Sequence, residues 1–214
     1  MYKTMVENSK TMWTFKRQFA ASVALSSLVS FVLRLSGRSP SKMLISKASG
    51  SLTHLEMVTS YNDRLQLDLS GETVPFRFTR NMATFIGQQG MEGRMVASAV
   101  AAAQALCQEG NKMSSLLGLF LLQDILLFIA RRLGVRSVAA ITTVTPAQVQ
   151  HACLHNMVQA IARLERVAPQ AQDQKAAANP GTNNPTKNFR DLVAMSGAPS
   201  NLARHPDVTW MAWY

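Results

Sequence analysis

The sequence predicts a mainly α-helical fold with one small β-hairpin. Three observations carry that expectation: long stretches with apolar residues at helical spacing, two short strand-like runs flanking Ala48-Ser49-Gly50, and a proline-led capping signature at Thr145–Gln148. At 214 residues and 47% hydrophobic, the chain can bury a core and is too apolar to be disordered throughout.

Trp13–Leu35 sets Phe15, Phe19, Val23, Leu25, Leu28, Val29, Val32 and Leu35 at helical intervals on a wide apolar face, as a central helix requires. Ser36-Gly37-Arg38-Ser39-Pro40 breaks it. Lys42–Lys47 and Ser51–Val58 then read as the strands of a hairpin, and residues 59–73 as a polar, irregular segment. Beyond Pro75 the chain turns helical again. Met91–Gln108 is rich in alanine, a strong helix former whose small face suits close packing. Met113–Leu133 follows Gly110-Asn111 as the next helix. Thr145 caps another, with Pro146 in its first turn and Gln148 closing a capping box. That helix carries an apolar stripe of Val149, Ala152, Cys153, Met157, Ala160, Ile161 and Leu164, with Gln150, Gln159, Arg163 and Arg166 facing away. Cys153 on the stripe reads as a core residue, not a nucleophile.

Residues 168–188 hold three prolines and almost no large apolar side chain, the composition of a linker. Phe189, Leu192, Val193 and Met195 fit a short helix ended by Gly197 and Pro199. The chain closes on Trp210, Trp213 and Tyr214, a cluster that docks back into a groove or serves as a hot spot for a partner, with docking preferred.

The formal net charge of +10 is uneven: residues 1–50 hold eight Lys/Arg against Glu7 alone. An acidic partner suits such a balance, whether nucleic acid, anionic membrane or acidic protein, and a plain solvated basic surface suits it equally. A single-strand-binding face needs aromatic residues among its basic ones, and none is expected here. Cys107 and Cys153, without a CxxC pair and with only four histidines, exclude a disulfide-stapled scaffold and a zinc finger. Two apolar runs tempt a membrane reading. Ala20–Leu33 is short of a span and lacks a signal-peptide cleavage site, while Met113–Ala130 places Gln123-Asp124 at its middle, where a carboxylate costs about 2.5–3.5 kcal/mol. Both read as buried helices of a soluble domain.

Three segments occur in a telling order: Ser36-Gly37-Arg38-Ser39-Pro40-Ser41-Lys42, the hairpin with His54-Leu55-Glu56, and Val74-Pro75-Phe76-Arg77-Phe78-Thr79. Together they resemble the C-lobe of the phosphatidylinositol 3-kinase-related kinases. Active members of that family carry Gly-Asp-Arg-His-x-x-Asn in the catalytic loop, and eleven residues separate its Asn from a metal-holding His-Ile-Asp-Phe/Leu-Gly motif. Eleven residues likewise separate Lys42 from His54. The tail is similar to the family's C-terminal FATC segment. The resemblance thus implies a partial kinase-like C-lobe over 1–166, a flexible linker over 167–188 and a FATC segment over 189–214.

Carried over residue by residue, the resemblance also implies a degenerate site. Gly37 stands where the family has its catalytic Asp and Ser39 where it has His. Lys42 replaces the metal-binding Asn, Glu56 the metal-binding Asp, and Val58 the Gly. Phosphoryl transfer depends on positioning and on charge neutralisation by Mg²⁺. Gly37 has no group to accept the substrate proton, and Lys42 brings a positive charge where a divalent cation needs oxygen ligands. The implied protein is a pseudokinase, not an enzyme, with no catalytic residue, cofactor or metal. The alternative is an active kinase of the family in which Glu56 holds Mg²⁺ and Asp63 or Asp68 acts as base.

Trp13-Thr14-Phe15-Lys16-Arg17-Gln18-Phe19, Val23–Ser27, Val74–Met82 and Asn201–Tyr214 are similar to one branch in particular, the TRRAP family, in which the degeneration is a mark. Membership implies a large scaffold in the nucleus. Its partners are the protein subunits of SAGA-type and related histone acetyltransferase complexes and the transcription activators recruited to chromatin. The chain begins just before the lobe's central helix, and Met1–Thr11 cannot supply an N-lobe. A fragment, an incomplete gene prediction and a truncated paralogue all fit that start, and the surface that meets the N-lobe is expected to be exposed. Of the remaining candidates, His54 at the hairpin's end suits a core hydrogen bond and a chemical role equally well. His151 and His155, four apart without a third ligand, read as solvent-facing. Arg77 and Arg80 are expected to anchor the segment after residue 73 through charge-assisted hydrogen bonds.

Overall fold

Asn8 lacks helical dihedrals, and its side chain accepts the Thr11 N–H at 2.8 Å, opening helix α1 (Ser9–Leu33). The structure is a computed structural model, and it describes residues 8–36, 38–70, 72–108, 112–135, 144–168 and 184–203. Phe19, Val23, Ala24, Leu28 and Phe31 of α1 are buried in the core, whereas Trp13, Lys16, Arg17 and Gln18 lie exposed near its start. Arg34 ends the helix in the left-handed region at φ 54°.

The hairpin is shorter than its apolar pattern: β1 (Met43–Ile45) pairs antiparallel with β2 (Leu52–His54), matching Met43 to His54 and Ile45 to Leu52. Two fastenings hold it on α1. Ser22 Oγ accepts the Leu52 N–H at 2.7 Å and donates to the Leu52 carbonyl at 3.2 Å. Gly50 takes φ +78° with its α-carbon so close to α1 that a β-carbon would stand 3.0 Å from the Phe15 carbonyl.

The following segment is irregular, as expected, yet it is not solvated loop: Thr59, Tyr61 and Leu67 are buried. Thr79 then caps α2 (Arg80–Ile86), accepting the Met82 N–H at 3.3 Å. The expected helix over 91–108 is not uniform. A short α3 (Gln88–Gly90) leads into a π-helical turn at Met91–Met95, and only Val96–Cys107 is regular α-helix, α4. Glycines at 90 and 93 weaken the α-helical preference there.

Helix α5 (Met113–Leu133) has the boundaries its sequence predicts, closed by Gly134 at φ +66° with the Val135 N–H returning to the Ala130 carbonyl at 3.0 Å. Helix α6 (Pro146–Glu165) opens with both halves of the Thr145–Gln148 capping box formed. Gly118 admits α6 closely, since a β-carbon there would sit 3.1 Å from Met157 Sδ, and Cys153 Sγ–H reaches the Gly118 carbonyl at 3.4 Å. Cys153 is a buried core residue, as expected.

Helix α7 (Pro185–Gly197) corrects one boundary. It begins inside the stretch assigned to the linker, because Asn184 caps it on the Lys187 N–H at 3.0 Å and Pro185 suits its first turn. Val167 and Ala168 are also buried, so the linker's first two residues belong to the core. A short α8 (Pro199–Ala203) follows. The terminal cluster of Trp210, Trp213 and Tyr214 and the middle of the linker lie outside the described residues.

Helix α1 packs on α4 and α6, α5 on α6, and α4 on α7, around one shared core. Helix α5 is long and apolar enough to cross a membrane by length and composition, with Leu116 and Leu119 about two-thirds exposed. At its centre Asp124 is buried, accepting the Thr59 N–H at 3.3 Å.

Candidate functional site

The hairpin's open end brings together two positions that lie fourteen residues apart. The Leu55 N–H donates to the Lys42 carbonyl at 2.9 Å, extending the ladder one step beyond β1 and β2. That register sets Lys42 and Glu56 side by side, with Lys42 Nζ 2.5 Å from Glu56 Oε1. Both side chains are partly open to solvent. An ammonium ion on a tether thus sits against the one carboxylate that the resemblance assigns to metal binding. A single carboxylate already bearing a cation is a poor ligand set for Mg²⁺, which seeks several oxygens.

Ser39 is half-buried, its hydroxyl 3.0 Å from that of Ser41, and Gly37 lies outside the described residues. Between them Arg38 is only 2% exposed, donating to the Val74 carbonyl at 2.9 Å. Burial lowers its pKa to about 10, with the Arg34 charge adding to the effect, so the guanidinium stays charged at neutral pH. His54 Nε2 lies 2.5 Å from Ser26 Oγ on α1, the core hydrogen bond that was one of its two readings. Its Nδ1 is buried without a hydrogen-bond partner among the described residues. Burial, and secondarily the charge of Arg38, pushes the imidazole pKa down and keeps the ring neutral.

The irregular segment beside this site is pinned along its length by residues that no local pattern marks. Asp124 takes the Thr59 N–H. Asn156, fully buried on α6, accepts the Leu67 N–H at 2.9 Å and donates to the Leu65 carbonyl at 2.8 Å. Arg34 Nε donates to the Asp68 carbonyl at 2.9 Å. Arg163 Nη2 lies 2.8 Å from Glu72, its Nε donates to the Phe31 carbonyl at 2.7 Å, and its guanidinium stacks 4.0 Å over the Phe31 ring. Arg163 was expected to face solvent. It is 6% exposed instead, because Glu72 and the carboxyl end of α1 offer it charge and acceptors under the segment.

The remaining candidates are engaged elsewhere. Asp63 pairs with Arg132 of α5 at 2.8 Å, and Asp68 accepts hydrogen bonds from the N–H and hydroxyl of Ser70. Arg77 is buried, its pKa lowered to about 10 by desolvation, while Arg80 opens α2 exposed. His151 is exposed and His155 half-buried on α6, and no cluster of three metal-capable side chains forms among the described residues.

A two-stranded hairpin sutured to a long central helix, followed by a pinned irregular segment and a helical bundle, is the architecture of a kinase C-lobe fragment. The family profile for phosphatidylinositol 3- and 4-kinases matches residues 1–129, well over half of the chain, and the chain belongs to that family. Within it, the chain is similar to the fission yeast (Schizosaccharomyces pombe) SAGA complex/NuA4 acetyltransferase complex subunit Tra1, with 30% identity over 131 residues, 61% of this chain. The Saccharomyces cerevisiae subunit of that name is 27% identical over 221 residues, covering 94% of this chain. The human transformation/transcription domain-associated protein is 31% identical over 120 residues, 56% of this chain. The chain spans 3 to 5% of the length of these relatives.

Proposed function

We propose that this chain is a non-catalytic, pseudokinase portion of a transcription coactivator scaffold, a subunit of SAGA- and NuA4-type histone acetyltransferase complexes. It works in the nucleus, needs no cofactor, and engages the other subunits of the complex and the activators that recruit it to chromatin. Residues 1–168 form the partial C-lobe, and the segment from the start of α7 at Pro185 to residue 214, preceded by a linker, forms the FATC segment. The observation that carries the reading is the Lys42–Glu56 contact: the position that should hold a divalent cation holds a lysine ammonium. Similarity to subunits named for these complexes supports the assembly.

The test is ATP phosphoryl transfer by the full-length parent, with and without Mg²⁺ or Mn²⁺, alongside Glu56→Ala. No metal-dependent transfer is expected in either protein. Transfer that needs metal and disappears in Glu56→Ala would establish an active kinase. Native fractionation of nuclear extract provides the second arm: the parent is expected to co-migrate with acetyltransferase activity, and migration apart from it would remove the scaffold reading.

A further inference from the structure

The eight basic residues among the first fifty do not share one fate. Arg34 and Lys42 are paired with Glu72 and Glu56, and Arg38 is buried on the Val74 carbonyl. Four others, Lys10, Lys16, Arg17 and Lys47, are exposed. Three of these lie within two turns of the projecting start of α1, about 10 Å of helix. Lys47 belongs to the hairpin turn whose Gly50 rests on Phe15, so it joins the same end of the molecule.

No carboxylate answers them from α1, which contains neither Asp nor Glu. Of the helical segments after residue 79 that pack on α1, α2 and α4 have no acidic residue and the π-helical turn has Glu92, offset by Arg94. Helix α6 has Glu165, two positions beyond the Arg163 that stacks on Phe31 at the other end of α1. An aromatic side chain stands among the cations, contrary to the expectation from sequence. Trp13 is 60% exposed and shares a helix face with Lys10 and Arg17, whose guanidinium lies 4.3 Å from its ring centre. Lys16 projects from another face, 5.4 Å from the Phe85 ring centre. Cation–π contact leaves these charges in place while fixing their positions.

We infer that this end of the molecule, the start of α1 with the hairpin turn beside it, binds nucleic acid through the phosphodiester backbone. Cations on more than one side of a projecting helix suit a charged strand running past it. An indole among them gives a base or sugar a flat apolar surface. The contact is independent of sequence, because nothing here is arranged to read base edges. It takes in the turn of the hairpin, the end opposite the Lys42–Glu56 contact, and does not depend on how that site is read.

The test is fluorescence anisotropy of the intact chain with a labelled 20-base-pair duplex and its single strand, titrated across salt concentrations. Four phosphate contacts predict a slope of log affinity against log salt between about −3 and −4 for the duplex, a loss of about a hundredfold from 50 to 200 mM. Replacing Lys10, Lys16, Arg17 and Lys47 together by alanine should lower affinity at 50 mM by about tenfold or more and flatten the slope. These side chains are exposed, and circular dichroism checks that the fold persists. A control removes four exposed cations elsewhere, Arg131, Arg132, Lys187 and Arg190, and should retain binding. Equal losses in both quadruple variants would mean diffuse attraction and would overturn the inference. So would no binding at 50 mM, or tighter binding of a poly-glutamate peptide than of either nucleic acid.

Discussion

Replacing Arg163 by alanine is the most informative single perturbation of the fold. Its guanidinium is held by Glu72 at 2.8 Å, by the Phe31 carbonyl at 2.7 Å and by the face of the Phe31 ring, all in a region where both charged side chains are about nine-tenths buried. Removal leaves Glu72 with the longer Arg34 contact at 3.5 Å and the charge of Arg38, and takes the side-chain donor from the Phe31 carbonyl near the carboxyl end of α1. Breaking a buried ion pair on one side costs about 3–5 kcal/mol, against a total stability of about 5–15 kcal/mol for a typical domain. In urea that is a fall in midpoint of roughly 1–2 M at unchanged slope. The loss should be nearly the same in 0.05 and roughly 0.5 M salt, because water and ions do not reach the pair. A cycle with Glu72→Ala isolates the coupling. A loss below about 1 kcal/mol, or one that vanishes in high salt, would mean that the pair behaves as a surface contact and that the segment is held by something else.

Three further outcomes follow from the same geometry. Asn156→Ala should cost about 2–4 kcal/mol by chemical denaturation, since it leaves the Leu67 N–H and the Leu65 carbonyl without their partner. Hydrogen exchange should then rise first at Leu67. Gly50→Ala should cost about 1–3 kcal/mol and loosen the hairpin, because the dihedral is left-handed and the new carbon meets the Phe15 carbonyl; wild-type stability would refute that packing. His54 gives a pH dependence with a definite sign. Its folded pKa lies below the ordinary 6.5, so the unfolded chain binds the proton first and stability is full above about pH 7 and declines as pH falls below about 6.5. Comparing unfolding midpoints at pH 7.5 and about 5.5, with His54→Gln flattening the difference, checks it.

Much of the helical framework was legible because its signals are local. The Thr145–Gln148 box needs only four residues, and Gly134 stops α5 whatever surrounds it. The hairpin was legible for the same reason, although its strands proved shorter than the apolar runs. The failures have a common cause in distance. Arg163 looks like the polar side of an amphipathic helix until Glu72, ninety-one positions away, is placed beside it. Asn156 is a polar residue next to an apolar stripe, a signal that could have marked it as a buried anchor. The π-helical turn before α4 escaped because alanine content speaks for helix without distinguishing its kinds. At the site, the family resemblance named both Lys42 and Glu56, but their direct contact needed the register of the ladder.

The anchoring of the irregular segment by α6 also sets an order of assembly during synthesis. Leu65, Leu67 and Glu72 are closed by side chains that the ribosome adds about ninety residues later. At about 5–20 residues per second, that interval is roughly 5–20 s. Throughout it, α1 and the hairpin can already be joined through Ser22, while Tyr61 and Leu67 wait uncovered for α5 and α6. The nascent chain therefore passes through a window in which apolar surface of this half-built lobe stays uncovered, and α5, a helix apolar enough to enter a bilayer, emerges within that window.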